Sequence, residues 1–220
     1  VSILRAVADE PATLAELVSR TGLPRATAHR LAVALEGHRL VRRTTEGSWV
    51  PGPALGELGR GGGDLAELAG RHLVALRDTS GESAQFYVRD GAMRVCIAAA
   101  ERTSGLRDTV PVGARLPMTA GSAAHALLAF TPAEEVTRLL PAASFTARTL
   151  LEVRRRGWAH SVAEREPGVA SLSAPVRDGV GAVLGAVSIS GPVERLGRRP
   201  SPETIGAVLD AAAAISRSAR

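Results

Sequence analysis

The segment TGLPRATAHRL, residues 21–31, decides the fold of the first part of the chain. Gly22 stands where a chain reversing between two helices needs a positive φ, and Pro24 suits the first position of the helix that follows. Wound at ~100° per residue, that helix turns Ala28, Leu31 and Leu35 to a core side. Arg25, Ala26, His29 and Arg30 fall on the opposite side, with Thr27 off that axis. Upstream, Thr13-Leu14-Ala15-Glu16 has the form of a capping box, in which hydroxyl and carboxylate each satisfy an orphan backbone N–H. Downstream, 40–43, 44–47 and 48–50 read as strand, turn and strand. Helix, tight turn, helix and hairpin together make a winged helix-turn-helix.

The charge of the chain points the same way. Its formal net charge is +5 over 220 residues. All 27 basic residues are arginine, there is no lysine or asparagine, and Gln85 is the lone glutamine. Such a bias marks a GC-rich genome, so the bulk basicity says little. Its placement says more. Residues 20–43 hold Arg20, Arg25, Arg30, Arg39, Arg42 and Arg43 against Glu36, so the whole net charge of +5 sits in this window. That is the electrostatic footprint of an element that binds a polyanion, here double-stranded operator DNA. Arg25, His29 and Arg30 would enter the major groove, where arginine reads guanine with ~1–3 kcal/mol of discrimination. Arg42 and Arg43 would meet the phosphate backbone, which positions without reading sequence, and Thr27 would meet a phosphate or a neighbouring helix. The alternative is a helix-turn-helix that packs only against protein.

Composition narrows the remainder. A hydrophobic content of 45% supports a real core. No apolar run approaches the ~18 residues of a membrane helix and no secretory signal opens the chain, so a cytoplasmic protein without a membrane partner is expected. Val1 opens within a helical pattern, SILRAVA, which implies that residues precede it. One cysteine, Cys96, and five dispersed histidines supply neither a disulfide nor a metal cluster, and no cofactor is expected.

Pro51-Gly52-Pro53 and Gly61-Gly62-Gly63 mark a boundary. The chain is therefore divided into a DNA-binding domain at 1–60, a linker-helix region at 61–80 and an effector-binding domain at 81–220. Leu65, Leu68, Leu73 and Leu76 form one stripe of the linker helix and, with the N-terminal helix, suggest a self-association surface. Asp64 with Glu67, Thr131-Pro132-Ala133-Glu134 and Ser201-Pro202-Glu203 read as helix starts, the last opening a helix over 202–218. Strand-like runs occupy 83–89, 93–100, 169–177 and 182–190, and Asp178-Gly179-Val180-Gly181 should close the last pair into a hairpin.

Residues 111–122 read as a loop feeding a short helix whose exposed N–H groups would favour an anion such as a carboxylate. Ser171 and Ser173 share one strand face, as do Ser188 and Ser190, and Leu116 and Met118 offer apolar walls. No nucleophile elbow, phosphate loop or nucleophile–base spacing appears, so no catalytic residue is assigned.

Taken together, TGLPRATAHRL, VPVGARLPMTAGSAAHALLAF, RRRGWAHSVAEREPGVASLSAPV and AVSISGP resemble the IclR family of bacterial transcriptional regulators over nearly the whole chain. The GESAQ and RLPMTAGSAA stretches look most like the actinobacterial NdgR-type subgroup, associated with amino-acid metabolism. The resemblance implies an α+β protein with a winged helix-turn-helix, a helical linker and a GAF-like α/β effector-binding domain, assembled as a homodimer or dimer of dimers. It also implies a small-molecule effector pocket at Asp108, Leu116, Ser122, Ala123, Ser161, Ser171, Ser188 and Ser190. Ser161 and Ser171 depart from an acid and a cysteine, which implies a ligand other than small keto acids. Val18, four residues before Gly22, replaces a small alanine and should loosen the helix packing. Three other groups invite a chemical reading. Glu164 and Glu166 suggest paired carboxylates, but the neighbouring Arg165 and Arg154–Arg156 favour surface ion pairing. Cys96 is the candidate for a redox sensor, against a buried inert thiol. His125 reads as a packing residue. The competing functions are a thiol-sensing regulator and a DNA-tethered enzyme.

Overall fold

The computed structural model describes residues 1–8, 10–58 and 60–219, with residues 60–64 described by backbone alone. It divides into two units, Val1–Asp64 and Leu65–Arg220.

The first unit contains α1 (Ser2–Ala6), α2 (Leu14–Thr21), α3 (Arg25–Gly37), β1 (Val41–Arg43), β2 (Trp49–Pro51) and α4 (Pro53–Leu58). The capping box forms as the sequence requires: Glu16 N–H donates to Thr13 Oγ1, and Thr13 N–H donates to Glu16 Oε2 at 2.7 Å. Gly22 closes α2 at φ 68°, its N–H donating to Val18 O at 2.9 Å. Val18 packs partly buried against the core. Pro24 caps α3 from just outside it, one position earlier than expected, and its carbonyl accepts the first helical bond from Ala28 N–H. The core joins Ile3, Val7, Leu17, Ala28, Ala32, Val41 and Trp49. Leu31 is 44% exposed, because the buried face of α3 centres on Ala28 and Ala32 and leaves Leu31 at its margin. The wing pairs Val41 with Pro51 and Arg43 with Trp49. Trp49 exchanges two backbone hydrogen bonds with Ala12, which ties the wing to the segment before α2.

Helix α5 (Arg60–Ser80) runs through the glycine triplet, so Asp64 lies inside the helix and not at its head. The second unit continues with β3 (Ser83–Asp90), β4 (Met93–Ala100), β5 (Arg115–Pro117), α6 (Ser122–Leu128), α7 (Ala133–Leu139), a 3-10 turn (Leu140–Ala142) and α8 (Ala147–Arg156). It ends with β6 (Ala159–Val162), β7 (Val169–Arg177), β8 (Val183–Pro192), α9 (Val193–Leu196) and α10 (Pro202–Ser218). The six strands form one antiparallel sheet in the order β5-β4-β3-β8-β7-β6. The expected hairpin exists, with Asp178 Oδ1 accepting from the N–H groups of Val180 and Ala182.

Strand parity divides the core. Phe86, Leu172, Val187 and Ile189 face α5 and α10, while Tyr87 and Ala186 face α6 and α8 on the other side. A register shift between Phe86 and Tyr87 lets Cys96 and Ala98 of β4 join different cores. Leu73 and Leu76 are buried in this unit's own core, with Leu65 and Leu68 packed against it, so the leucine stripe is spent within the chain and is not free for a partner. Thr131 does not cap α7; its hydroxyl donates back to Leu127 O, and Pro132 takes the cap position.

Candidate functional site

In the first unit Arg25, His29 and Arg30 are exposed along α3, while Thr27 is half-buried. Arg42 and Arg43 are exposed on β1, and the Arg43 guanidinium lies 5.0 Å from the centre of the Trp49 ring. The counted basic window overstates the available charge. Arg20 donates to Ala6 O and lies 3.6 Å from Glu10, and Arg39 pairs with Glu57 at 2.5 Å. Among the described residues Arg25, Arg30, Arg42 and Arg43 have no ion pair. These four are the cations that α3 and the wing present to solvent.

In the second unit the parity of β7 and β8 turns Ser171, Ser173, Ser188 and Ser190 toward the start of α6. The hydroxyls interlock. Ser122 Oγ lies 2.7 Å from Ser171 Oγ and 2.6 Å from Ser173 Oγ; Ser161 and Ser171 are 2.9 Å apart, as are Ser173 and Ser188. Ser190 donates to Gln85 Oε1 at 3.2 Å. Such chains persist in a core because each hydroxyl can donate once and accept twice.

Beside the serines is a cavity of about 20 Å³, walled by Ser122, Ala123, Ser161, Ser171, Ser188 and Ser190, with Asp108 and Arg165 at its rim. That volume holds roughly one water-sized group. Arg165 Nη2 donates to Asp108 Oδ2 at 2.5 Å, and both residues also border an outer cleft of about 620 Å³. The ion pair therefore stands between cleft and cavity. Leu116 and Met118, expected as apolar walls, are not among the lining residues; Met118 is fully buried in the core under α6.

The start of α6 is not a vacant anion site. Gly121 N–H donates to Glu164 Oε2 at 2.9 Å, and Ser122 N–H donates to Ser161 Oγ at 3.0 Å. The protein's own carboxylate already takes the place assigned to a ligand. Glu164 also meets the buried His125, whose Nε2 lies 2.9 Å away and whose ring packs on Phe145. With Nδ1 unpartnered, we assign the proton to Nε2, since an orphan acceptor costs less than an orphan N–H. Glu164 is thus no surface ion-pair partner; Glu166 alone pairs with Arg165, at 3.2 Å.

Seven lining residues lie outside the predicted set: Tyr87, Arg94, Gly121, Glu164, Arg165, Glu166 and Val169. Arg94 is 3% exposed, donates through Nη1 to Pro117 O and has no hydrogen-bond partner for Nε. Burial pushes its pKa down to about 10. The strand pattern of β4 holds the signal that exposes it: Arg94 occupies the same buried parity as Cys96. Cys96 is fully buried, and burial raises its thiol to about 11, a setting that disfavours the reactive thiolate.

The fold and both sites define a DNA-binding regulator with a separate ligand-binding unit. Residues 1–45 match the IclR helix-turn-helix domain and residues 61–217 the C-terminal part of bacterial IclR transcriptional regulators. A glycerol operon regulatory protein of Streptomyces griseus is 34% identical over 93% of this chain and 87% of its own length. The transcriptional repressor IclR of Escherichia coli is 30% identical over 83% of this chain and 74% of its own. A regulator structure from Rhodococcus, 28% identical, superposes with a TM-score of 0.63 over 98% of this chain and 94% of that one. An IclR homologue from Microbacterium hydrocarbonoxydans, complexed with 4-hydroxybenzoate, shares the fold at a TM-score of 0.76, 22% identity and 100% and 96% coverage. The chain belongs to the IclR family: a transcriptional regulator, not an enzyme, with a DNA-binding helix-turn-helix and a ligand-binding C-terminal domain.

Proposed function

We propose that the chain is a homodimeric regulator of amino-acid metabolism genes whose DNA binding responds to a small carboxylate held in the serine-lined cavity. The observation that carries the ligand reading is the buried, interlocked hydroxyl cluster beside a small cavity. A core does not need five linked serines, and apolar residues would fill that space at lower desolvation cost. Hydroxyls that can exchange partners offer a carboxylate several donors. The amino-acid link rests on the GESAQ and RLPMTAGSAA stretches.

On the DNA side Arg25, His29 and Arg30 read bases while Thr27, Arg42 and Arg43 hold phosphates, in agreement with the exposed cations of α3 and β1. The test is anisotropy of labelled promoter DNA with the full chain and a panel of amino, hydroxy and keto acids. At least one acid should change DNA affinity by about 5–150-fold, a usual allosteric coupling. Ser188→Ala should reduce that response and leave ligand-free DNA affinity intact. A response to sugars or amines but to no carboxylate would refute the ligand class.

A further inference from the structure

Arg94 is the one cation of the cavity without an ion pair among the described residues. Arg165 is neutralised by Asp108 at 2.5 Å, whereas no ion pair joins Arg94 to any described residue. A guanidinium 3% exposed with an idle Nε is costly to bury, and a protein core rarely keeps such a group without a use for it. Its place is fixed. Nη1 holds Pro117 O, and a Cβ on residue 121 would come within 3.1 Å of Nη2, so Gly121, at φ 93°, gives the side chain its room. The Tyr87 ring centre lies 5.4 Å from the guanidinium carbon and shields it from solvent. What remains open to Arg94 is the cavity.

We infer that Arg94 is the carboxylate receptor of the effector site and that it selects monoanionic ligands over neutral and dianionic ones. This rests on the reading that a carboxylate binds in the serine-lined cavity, and it moves the anion from the head of α6 to a side chain of β4. Selection by charge follows from the walls. One unpaired cation accepts one negative group, while the Glu164 carboxylate on the same cavity would repel a second. A neutral isostere leaves the buried charge uncompensated and gains only hydrogen bonds.

Formate and acetate, the smallest monocarboxylates, are the probes, because a cavity of about 20 Å³ leaves room for little more than a water-sized group. Formamide and acetamide serve as neutral isosteres and malonate as the dianion. Melting temperature of the full chain is followed at constant ionic strength for wild type, Arg94→Gln and Arg94→Met. Wild type should show a saturable rise with formate or acetate and none with the amides or malonate. Both variants should lose that rise, an affinity loss of roughly ten- to a hundredfold for a charge-assisted contact. Without any probe, Arg94→Met should melt no lower than wild type, because removing an unpaired buried charge relieves the fold. If packing defects unfold it, Arg94→Gln, which keeps a donor for Pro117 O, still carries the comparison. Equal shifts in wild type and Arg94→Gln, equal shifts with formate and formamide, or no saturable shift at all would overturn the assignment. The two readings fail separately. Promoter binding that answers to a carboxylate equally in wild type and Arg94→Gln keeps the sensing function and removes Arg94 from it. Formate saturation in wild type alone, with no carboxylate affecting promoter binding, keeps the Arg94 site and removes the sensing.

Discussion

Arg25 and Arg42 carry the same charge on different elements, and the difference predicts different defects. Arg25 begins α3, where its fork can reach a base edge; Arg42 lies on β1 beside the turn of the wing. Arg25→Ala should cost ~1–3 kcal/mol on the operator and relax its base preference. Arg42→Ala should weaken operator and random DNA alike, since phosphate contacts carry no sequence information. Gel shifts on both DNAs check this, and equal losses on each for Arg25→Ala would remove its reading role. The exposure of Arg25 was legible from helical spacing and that of Arg42 from the strand–turn–strand pattern of the wing. The burial of Arg94 was not, because an arginine in a strand reads as solvent-facing until its parity with the buried Cys96 is counted. Glu164 was misread for a related reason. Its neighbours in sequence are arginines, but its partners, Gly121 and His125, lie about forty residues away and are brought to it by the sheet.

At the scale of elements, local chemistry located most turns and helix starts, although Asp64 lies inside α5 and Thr131 does not cap α7. The capping box at Thr13, the turn at Gly22, the hairpin at Asp178 and the helix opened by Ser201 all follow from neighbours within four residues. Strands β5 and β6 were invisible, because three- and four-residue strands are defined by partners elsewhere, Arg94 against Leu116 and His160 against Leu172. The leucine stripe of α5 was visible but its destination was not: an amphipathic face says that it is buried, not by what. Thr13→Ala should therefore destabilise the first unit by ~0.5–2 kcal/mol, through loss of the capping bonds at the start of α2. The measurement is denaturant unfolding followed by Trp49 fluorescence in a Trp158→Phe background, since Trp49 is fully buried in that unit and these are the chain's two tryptophans. Thr13→Ser should restore most of the loss. A Thr13→Ala midpoint equal to wild type would show that the segment is held by the Ala12–Trp49 bonds alone.

For the whole molecule, the charges that stay unpaired set the strength of DNA binding, and ligand linkage sets its control. With Arg25 and Arg30 given to base reading, Arg42 and Arg43 remain as the cations for phosphates. A dimer would carry four such contacts, so log affinity should fall against log salt with a slope of about −4. A slope near twice that would mean that Arg20 and Arg39 leave Glu10 and Glu57 on binding, because the intramolecular pairs would then have been exchanged for phosphates. Control follows from a thermodynamic cycle that needs no assumption about how one unit addresses the other. If an acid bound in the cavity changes operator affinity by some factor, operator DNA must change the affinity for that acid by the same factor. Calorimetric titration of the acid into the full chain, free and saturated with operator, measures one side of the cycle; anisotropy with and without the acid measures the other. Agreement of the two factors is the expected result, with Ser188→Ala reducing both together. A ligand that alters DNA binding while its own affinity ignores the operator would be acting through something other than this equilibrium, such as the association of subunits, and light scattering across the same titration would expose that route.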